Sequence, residues 1–313
     1  MIMILLSFAQ PSRLPTFSTR RRRPDISTTH NLNSLWLLGP KRTPILGVQT
    51  HYPTPFDVPL PAKCLPFGLT PVAEDLLHDT GATAAVLGGA YALVFTFNNL
   101  TQRKLINQGL SRKLVHILSG LFFMVSWPIF STSTVARYFA AVVPAVNCFR
   151  LLVHGLSLAS DEGLVKSVTR EGNPQELLRG PLYYVLVLIF CDLAFWRESP
   201  IGIISLAMMC GGDGVADIVG RRFGSVKIPY NPQKSWAGSI AMFVFGFLLS
   251  IGMLYYYSVL GYFQLDWVST MQKVALVSFV ATAVESLPTT EAVDDNISVP
   301  LASMAVAFLS FSN

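Results

Sequence analysis

Apolar runs long enough to cross hydrocarbon recur along this chain and constrain its fold more than any other feature. They fall at about 80–98, 114–130, 134–157, 180–197, 200–219, 237–261, 271–286 and 298–312. A bilayer core takes roughly 17 to 25 apolar residues per helix. The second, seventh and eighth runs are short by that measure, so seven or eight spans are expected. Backbone groups in hydrocarbon must be satisfied within their own segment, which favours helices. The expected fold is therefore all-α, a polytopic integral membrane helix bundle over residues 78–313. Composition agrees, with 51% hydrophobic and 13% charged residues; an ordinary soluble domain carries about a quarter charged.

The connections alternate in character. Those after the first, third, fifth and seventh runs are polar, and the first three carry Lys or Arg: NLTQRKLINQGLSRK, SLASDEGLVKSVTREGNPQELLR, RRFGSVKIPYNPQKSW and SLPTTEAVDDN. Those after the second, fourth and sixth (STS, ES, YFQLDWVST) hold neither Lys nor Arg. Basic loops mark the side that is not translocated. This alternation delivers the polar clusters to one face, as a site built from several loops at a membrane surface requires.

Residues 1–73 differ from the rest. Only Asp25 and Asp57 are acidic there, against eight basic residues that include the run Arg20 to Arg23. Basic, hydroxyl-rich and acid-poor composition is that of an organelle transit peptide. Its prolines argue against a folded element. Much of the net charge of +5 sits in this block, so the charge does not imply a nucleic-acid partner. The four cysteines, Cys64, Cys148, Cys191 and Cys210, have no metal-ligand or redox spacing.

The fifth apolar run ends in GGDGVADIVGRRFG, residues 211–224. On a continuing helix Asp213 and Asp217 stand at i and i+4, on one face. Two carboxylates there suit Mg²⁺, which takes oxygen ligands and substrate phosphates. Gly212 and Gly214 would let backbone approach a nucleotide; helix packing is the plainer alternative. Arg221, Arg222, Lys227 and Lys234 are phosphate partners by chemistry, or topology charges by position. Ser235 is placed to cap the next helix, whose N-terminus favours an anion.

Asp294, Asp295 and Asn296 precede the last run, and Glu285 ends the one before. Capping needs one such residue, so a second metal ligand or a base for an alcohol is a reading for Asp294 or Asp295. Arg112, Lys113 and His116 share one helical turn in SRKLVHILSG, and REGNPQELLRGP holds Arg170, Glu171 and Glu176. For these, topology and packing roles are the plainer reading.

Taken together, SRKLVHILSG, REGNPQELLRGPLYY, GGDGVADIVGRRFGSVKIPYNPQKSWAGSIAMF and ESLPTTEAVDDNISVPL resemble the plant polyprenol kinases, in order, from about residue 78 to the end. The central stretch is also similar, more loosely, to dolichol kinase and to the cytidylyltransferase that makes CDP-diacylglycerol. The resemblance implies a multi-pass enzyme of a chloroplast membrane, envelope or thylakoid, that moves phosphate from CTP, or UTP, to phytol. Its product, phytyl phosphate, would feed tocopherol synthesis. In that reading Asp213 and Asp217 hold Mg²⁺, Lys234 with Arg221 or Arg222 neutralises the transferred phosphate, and Asp294 or Asp295 orients the alcohol. Alternatives are a farnesol or geranylgeraniol kinase, a membrane CTP:phospholipid cytidylyltransferase, and an ion-coupled transporter. Neither GxxxxGK[ST] nor a protein-kinase signature occurs, so the site is not of those kinds.

Overall fold

The structure, a computed structural model, describes residues 71–159, 162–169, 172–288 and 294–312. Residues 1–70, which hold most of the expected transit segment 1–73 and Cys64, lie outside the described residues, as do Arg170 and Glu171. The helices, in order, are α1 (Pro71–Gln102), α2 (Gln108–Ser126), α3 (Ala136–Gly155), α4 (Glu162–Val168), α5 (Gly180–Phe195), α6 (Pro200–Ala207), α7 (Gly214–Phe223), α8 (Trp236–Val259), α9 (Trp267–Ser286) and α10 (Asp295–Phe311). A π-helical turn, Met208–Asp213, joins α6 to α7 without a break. The architecture is the expected all-α polytopic bundle.

Among the described residues six helices are long and apolar enough to cross a membrane: residues 71–102, 136–155, 174–195, 200–223, 236–259 and 267–286. The other two expected spans are α2 and α10. The first opens with Arg112, Lys113 and His116, and the second has 17 residues. Both still run in the bundle, and both carry polar residues to the same end of it.

The segment from α6 through the π turn is the centre. Every residue from 201 to 214 is buried, as befits a helix apolar all round. Small residues let neighbours approach: Gly212 and Gly246 of α8 meet where a Cβ on Gly212 would stand 3.5 Å from the Gly246 Cα. Such close contacts drive helix association where lipid offers no hydrophobic gain. Outward residues such as Phe149, Leu248, Phe279 and Leu309 are more than half exposed, which in this setting is a lipid face.

Helix starts are capped by the residues expected for the job. The Asn107 side chain accepts from Leu110 N, Ser235 from Gly238 N and Asp266 from Val268 N. At the far end of the bundle, buried Arg197 donates to the carbonyls of Trp127, Phe130 and Ser131. Asp79 accepts from the Ser131 amide and hydroxyl, so that turn is tied down from both sides.

One element departs from all-helix. Lys227–Ile228 pairs antiparallel with Asn231–Ser235, where the sequence reads only as turn formers. Ile228 is buried, Asn231 Nδ2 donates to the carbonyls of Ser286 and Leu287, and the Tyr230 hydroxyl meets Ser286 Oγ at 2.8 Å. The hairpin thus docks on the end of α9.

Candidate active site

Docking the hairpin on α9 decides where Lys234 goes. Its ammonium contacts the Glu285 carboxylate at the end of α9 and Asp295 Oδ2 at the start of α10, the latter at 2.8 Å. Burial alone would lower the pKa of this lysine, but the two carboxylates beside it win and hold it above the usual lysine range. Lys234 is therefore a fixed positive charge.

Asp213 arrives from the other side. It is the last residue of the π turn MMCGGD, a device common at functional sites. Asp213 is 5% exposed and its Oδ2 accepts from Lys113 Nζ at 3.0 Å. His116 Nε2 lies 3.8 Å from the same oxygen and donates to the Met209 carbonyl at 3.1 Å. The Tyr184 ring packs on His116 at 4.3 Å, and its hydroxyl donates to the His116 carbonyl.

One carboxylate oxygen from each of Asp213, Glu285 and Asp295 lies within 4.8 Å of the others. Three carboxylates at that spacing, two buried and that of Asp295 half-buried, repel strongly unless positive charge lies among them. Lys113 and Lys234 supply part of it. Glu285 Oε2, Asp295 Oδ1 and Asn296 Oδ1 are buried with no hydrogen-bond partner among the described residues. Orphaned oxygens that can only accept, two of them on residues of this cluster, suit a hard divalent cation such as Mg²⁺. The residues present therefore fit one.

Beside this cluster opens a cavity of about 720 Å³, within the range of small-molecule sites. Its polar end is lined by Arg112, Lys113, His116, Arg179, Asp213 and Asp294–Asn296. Val115 and Phe123 of α2, Val143 of α3, and Val185 and Leu188 of α5 supply apolar wall, interrupted by Asn147 and Arg150 of α3. The shape suits an amphipathic molecule with a reactive head and a long apolar tail.

The residues singled out in the sequence fall into three groups. Asp213, Lys234 and Asp295 converge in the cluster. Asp294 lines the cavity but also caps α10, its Oδ1 accepting from Asn296 N and Nδ2; Ser235 is the cap of α8. The third group stands apart. Asp217 pairs with Arg221 at 3.0 Å, both on the exposed side of α7. The cluster's other carboxylates come from Glu285 and Asp295 instead. Arg222 lies over the Phe223 ring, and Lys227 is exposed on the hairpin. Gly212 and Gly214 face neighbouring helices; a Cβ on Gly214 would stand 2.3 Å from Ile117 Cγ1. Their shared property is helix packing. Lys113 and His116, a basic residue and a histidine three apart near the head of an apolar helix, both meet Asp213.

Curated relatives match this chain over most of its length. It is 75% identical over 239 residues to the probable phytol kinase 1, chloroplastic, of Glycine max, covering 76% of this chain and 79% of the relative. It is 68% identical over 238 residues to phytol kinase 1, chloroplastic, of Arabidopsis thaliana, covering 76% and 78%. With the probable phytol kinase, chloroplastic, of Triticum aestivum it shares 64% identity over 244 residues, covering 78% and 81%. The chain belongs to the phytol kinase family. No family model and no solved structure matches it. Membership of a chloroplastic kinase family, with six membrane-length apolar helices, makes this a multi-pass chloroplast membrane protein. Kinase chemistry also requires a nucleotide phosphate donor.

Proposed function

We propose that this protein phosphorylates phytol, or a closely related prenyl alcohol, using CTP, with UTP as the other candidate donor. The observation that carries the reading is the juxtaposition of the Asp213–Glu285–Asp295 cluster and its two lysines with a cavity apolar over most of its walls. A prenyl alcohol is already dissolved in the bilayer. The protein need only bring its hydroxyl to the charged end and keep the tail in the apolar part.

Phosphoryl transfer asks mainly for positioning and charge neutralisation. Asp213, Glu285 and Asp295 would hold Mg²⁺, which when bound offsets charge on the donor's phosphates. Lys234, fixed between Glu285 and Asp295, and Lys113, fixed on Asp213, present positive charge where negative charge accumulates during transfer. Asp294, already engaged in capping α10, lines the cavity with one carboxylate oxygen outside those two bonds, and is placed to accept the alcohol proton. His116 is oriented by Met209 and Tyr184 and keeps Asp213 company; it is a positioning residue. The exposed Arg222 and Lys227 would attract the nucleotide from the aqueous side.

In this reading the kinase domain begins with α1 at Pro71 rather than at 78, and the residues before α1 are a transit segment. The product, phytyl phosphate, would go to a second phosphorylation and then to tocopherol synthesis.

The deciding experiment incubates membranes carrying the full chain with labelled CTP, UTP, ATP or GTP and a set of prenyl alcohols. The kinase reading expects a nucleoside diphosphate and a prenyl phosphate, fastest with CTP and phytol. Pyrophosphate with a CDP-lipid would instead establish a cytidylyltransferase.

A further inference from the structure

The cavity is closed on two sides and not on the third. Its walls from α2 and α5 are buried: Val115, Phe123, Val185 and Leu188 are each 8% exposed or less. Across from them, Tyr91 of α1 and Val146 of α3 line the same cavity yet are 62% and 49% exposed. A residue that faces both the cavity and the outer surface marks an opening. The four buried residues of α1, Asp79, Ala82, Thr83 and Val86, all lie in its first half. Beyond Val86 the helix leans on the bundle without burying any residue.

Two contacts bound this opening. Toward the far end, Thr83 Oγ1 donates to the Phe139 carbonyl at 3.0 Å. Toward the charged end, the Arg150 guanidinium sits over the Tyr91 ring at 5.4 Å. The eight residue steps of α1 from Thr83 to Tyr91 span ~12 Å at 1.5 Å each, and the part beyond buried Val86 is the opened one. Side chains are short in this interval, with Gly88 and Ala90 on α1 and Ala145 on α3. A Cβ on Gly88 would meet nothing within 4 Å.

Length gives the opening a use. From Lys113 to Phe123 the cavity follows α2 for ten residues, or ~15 Å. An extended alkyl chain advances ~1.3 Å per bond, given carbon–carbon bonds of about 1.5 Å. The sixteen-carbon main chain of phytol is then ~19 Å long, and a twelve-carbon main chain ~14 Å. The shorter tail fits inside; the longer one overshoots by about a turn of helix.

We propose that the acceptor alcohol enters sideways from the bilayer between α1 and α3, and that the end of a long tail remains in this opening during transfer. The proposal rests on the kinase reading for the identity of the occupant. The far end of a long tail then lies in lipid and meets no wall, so the protein tolerates extra length instead of measuring it. The Tyr91–Arg150 contact sets the upper edge of the opening and keeps the hydroxyl end at the charged side.

The test is a selectivity ratio on the full chain in phosphatidylcholine vesicles. Ala90→Trp fills the opening. The ratio of kcat/KM for a twenty-carbon over a ten-carbon isoprenoid alcohol, with CTP, should fall at least tenfold relative to wild type. An unchanged or increased ratio overturns the proposal. A second measurement needs no variant: a twenty-carbon alcohol carrying a diazirine at its tail end is photolysed on the wild-type protein. Adducts on residues 87–95 of α1 or 142–150 of α3 support the opening, and adducts confined to α5 refute it. The label requires no turnover. It therefore decides the opening even where wild type phosphorylates neither alcohol, a result that would overturn only the kinase reading.

Discussion

Lys234 Nζ stands 2.8 Å from Asp295 Oδ2 while also contacting Glu285, joining the hairpin, the end of α9 and the start of α10 through one ammonium. Removing it leaves buried Glu285 and half-buried Asp295 without their shared cation, a loss that approaches the roughly 3–5 kcal/mol of a broken buried pair only for Glu285. Lys234→Met should therefore lose activity and unfold at lower temperature in detergent. Adding Glu285→Gln should restore part of the stability and none of the activity. A double variant no more stable than the single one would remove this contact from the stability argument.

The same lysine predicts a pH behaviour. Its folded-state pKa is raised, so its stabilising contribution is complete below the ordinary lysine range and is lost only as pH rises through the raised value. The difference in unfolding midpoint between wild type and Lys234→Met should stay constant from about pH 6 to 9, below the ordinary lysine pKa near 10.4. A difference shrinking across that window would contradict the raised value.

Asp213 and Asp217 should separate in function. Asp213 is buried against Lys113 and shares a point with Glu285 and Asp295, whereas Asp217 makes an exposed i,i+4 pair with Arg221. Asp213→Asn is expected to lower kcat by about 10²–10³-fold, the scale of losing a charge-organising group at a transfer site. Asp217→Asn should stay within a few-fold of wild type, since exposed pairs contribute about 0–1 kcal/mol. Radiolabelled CTP and phytol on inserted protein measure both; equal losses would place Asp217 in the site.

Gly214→Ala tests the packing of the central segment. The added methyl would stand 2.3 Å from Ile117 Cγ1, and overpacking of this kind costs about 1–3 kcal/mol. Thermal unfolding in detergent should show the loss, and Ile117→Ala should recover part of it. Failure of Ile117→Ala to help would point to a nucleotide role for this glycine.

Arg222 and Lys227 are exposed near the hairpin. Replacing both with Ala should raise KM for CTP several-fold with kcat little changed. The effect should fade as salt shortens the Debye length to about 3 Å at 1 M. A matching drop in kcat would move them into the transfer step.

What the sequence determined by itself is what depends on local pattern. Apolar runs fixed to a bilayer's thickness specify helices, and the charge asymmetry of their connections puts polar loops on one side. Asp213, Lys234 and Asp295 stood out because polar residues at the rim of apolar segments are costly to keep there. Tertiary structure alone decided which of them meet. Lys113 reaches Asp213 across 100 residues, and Lys234 reaches Glu285 across 51. No helical period links positions so far apart. Asp217 lies four residues from Asp213, yet a neighbouring arginine on its own helix holds its carboxylate. The hairpin that steers Lys234 and the opening beside α1 likewise depend on how separate elements pack, which spacing along the chain does not encode.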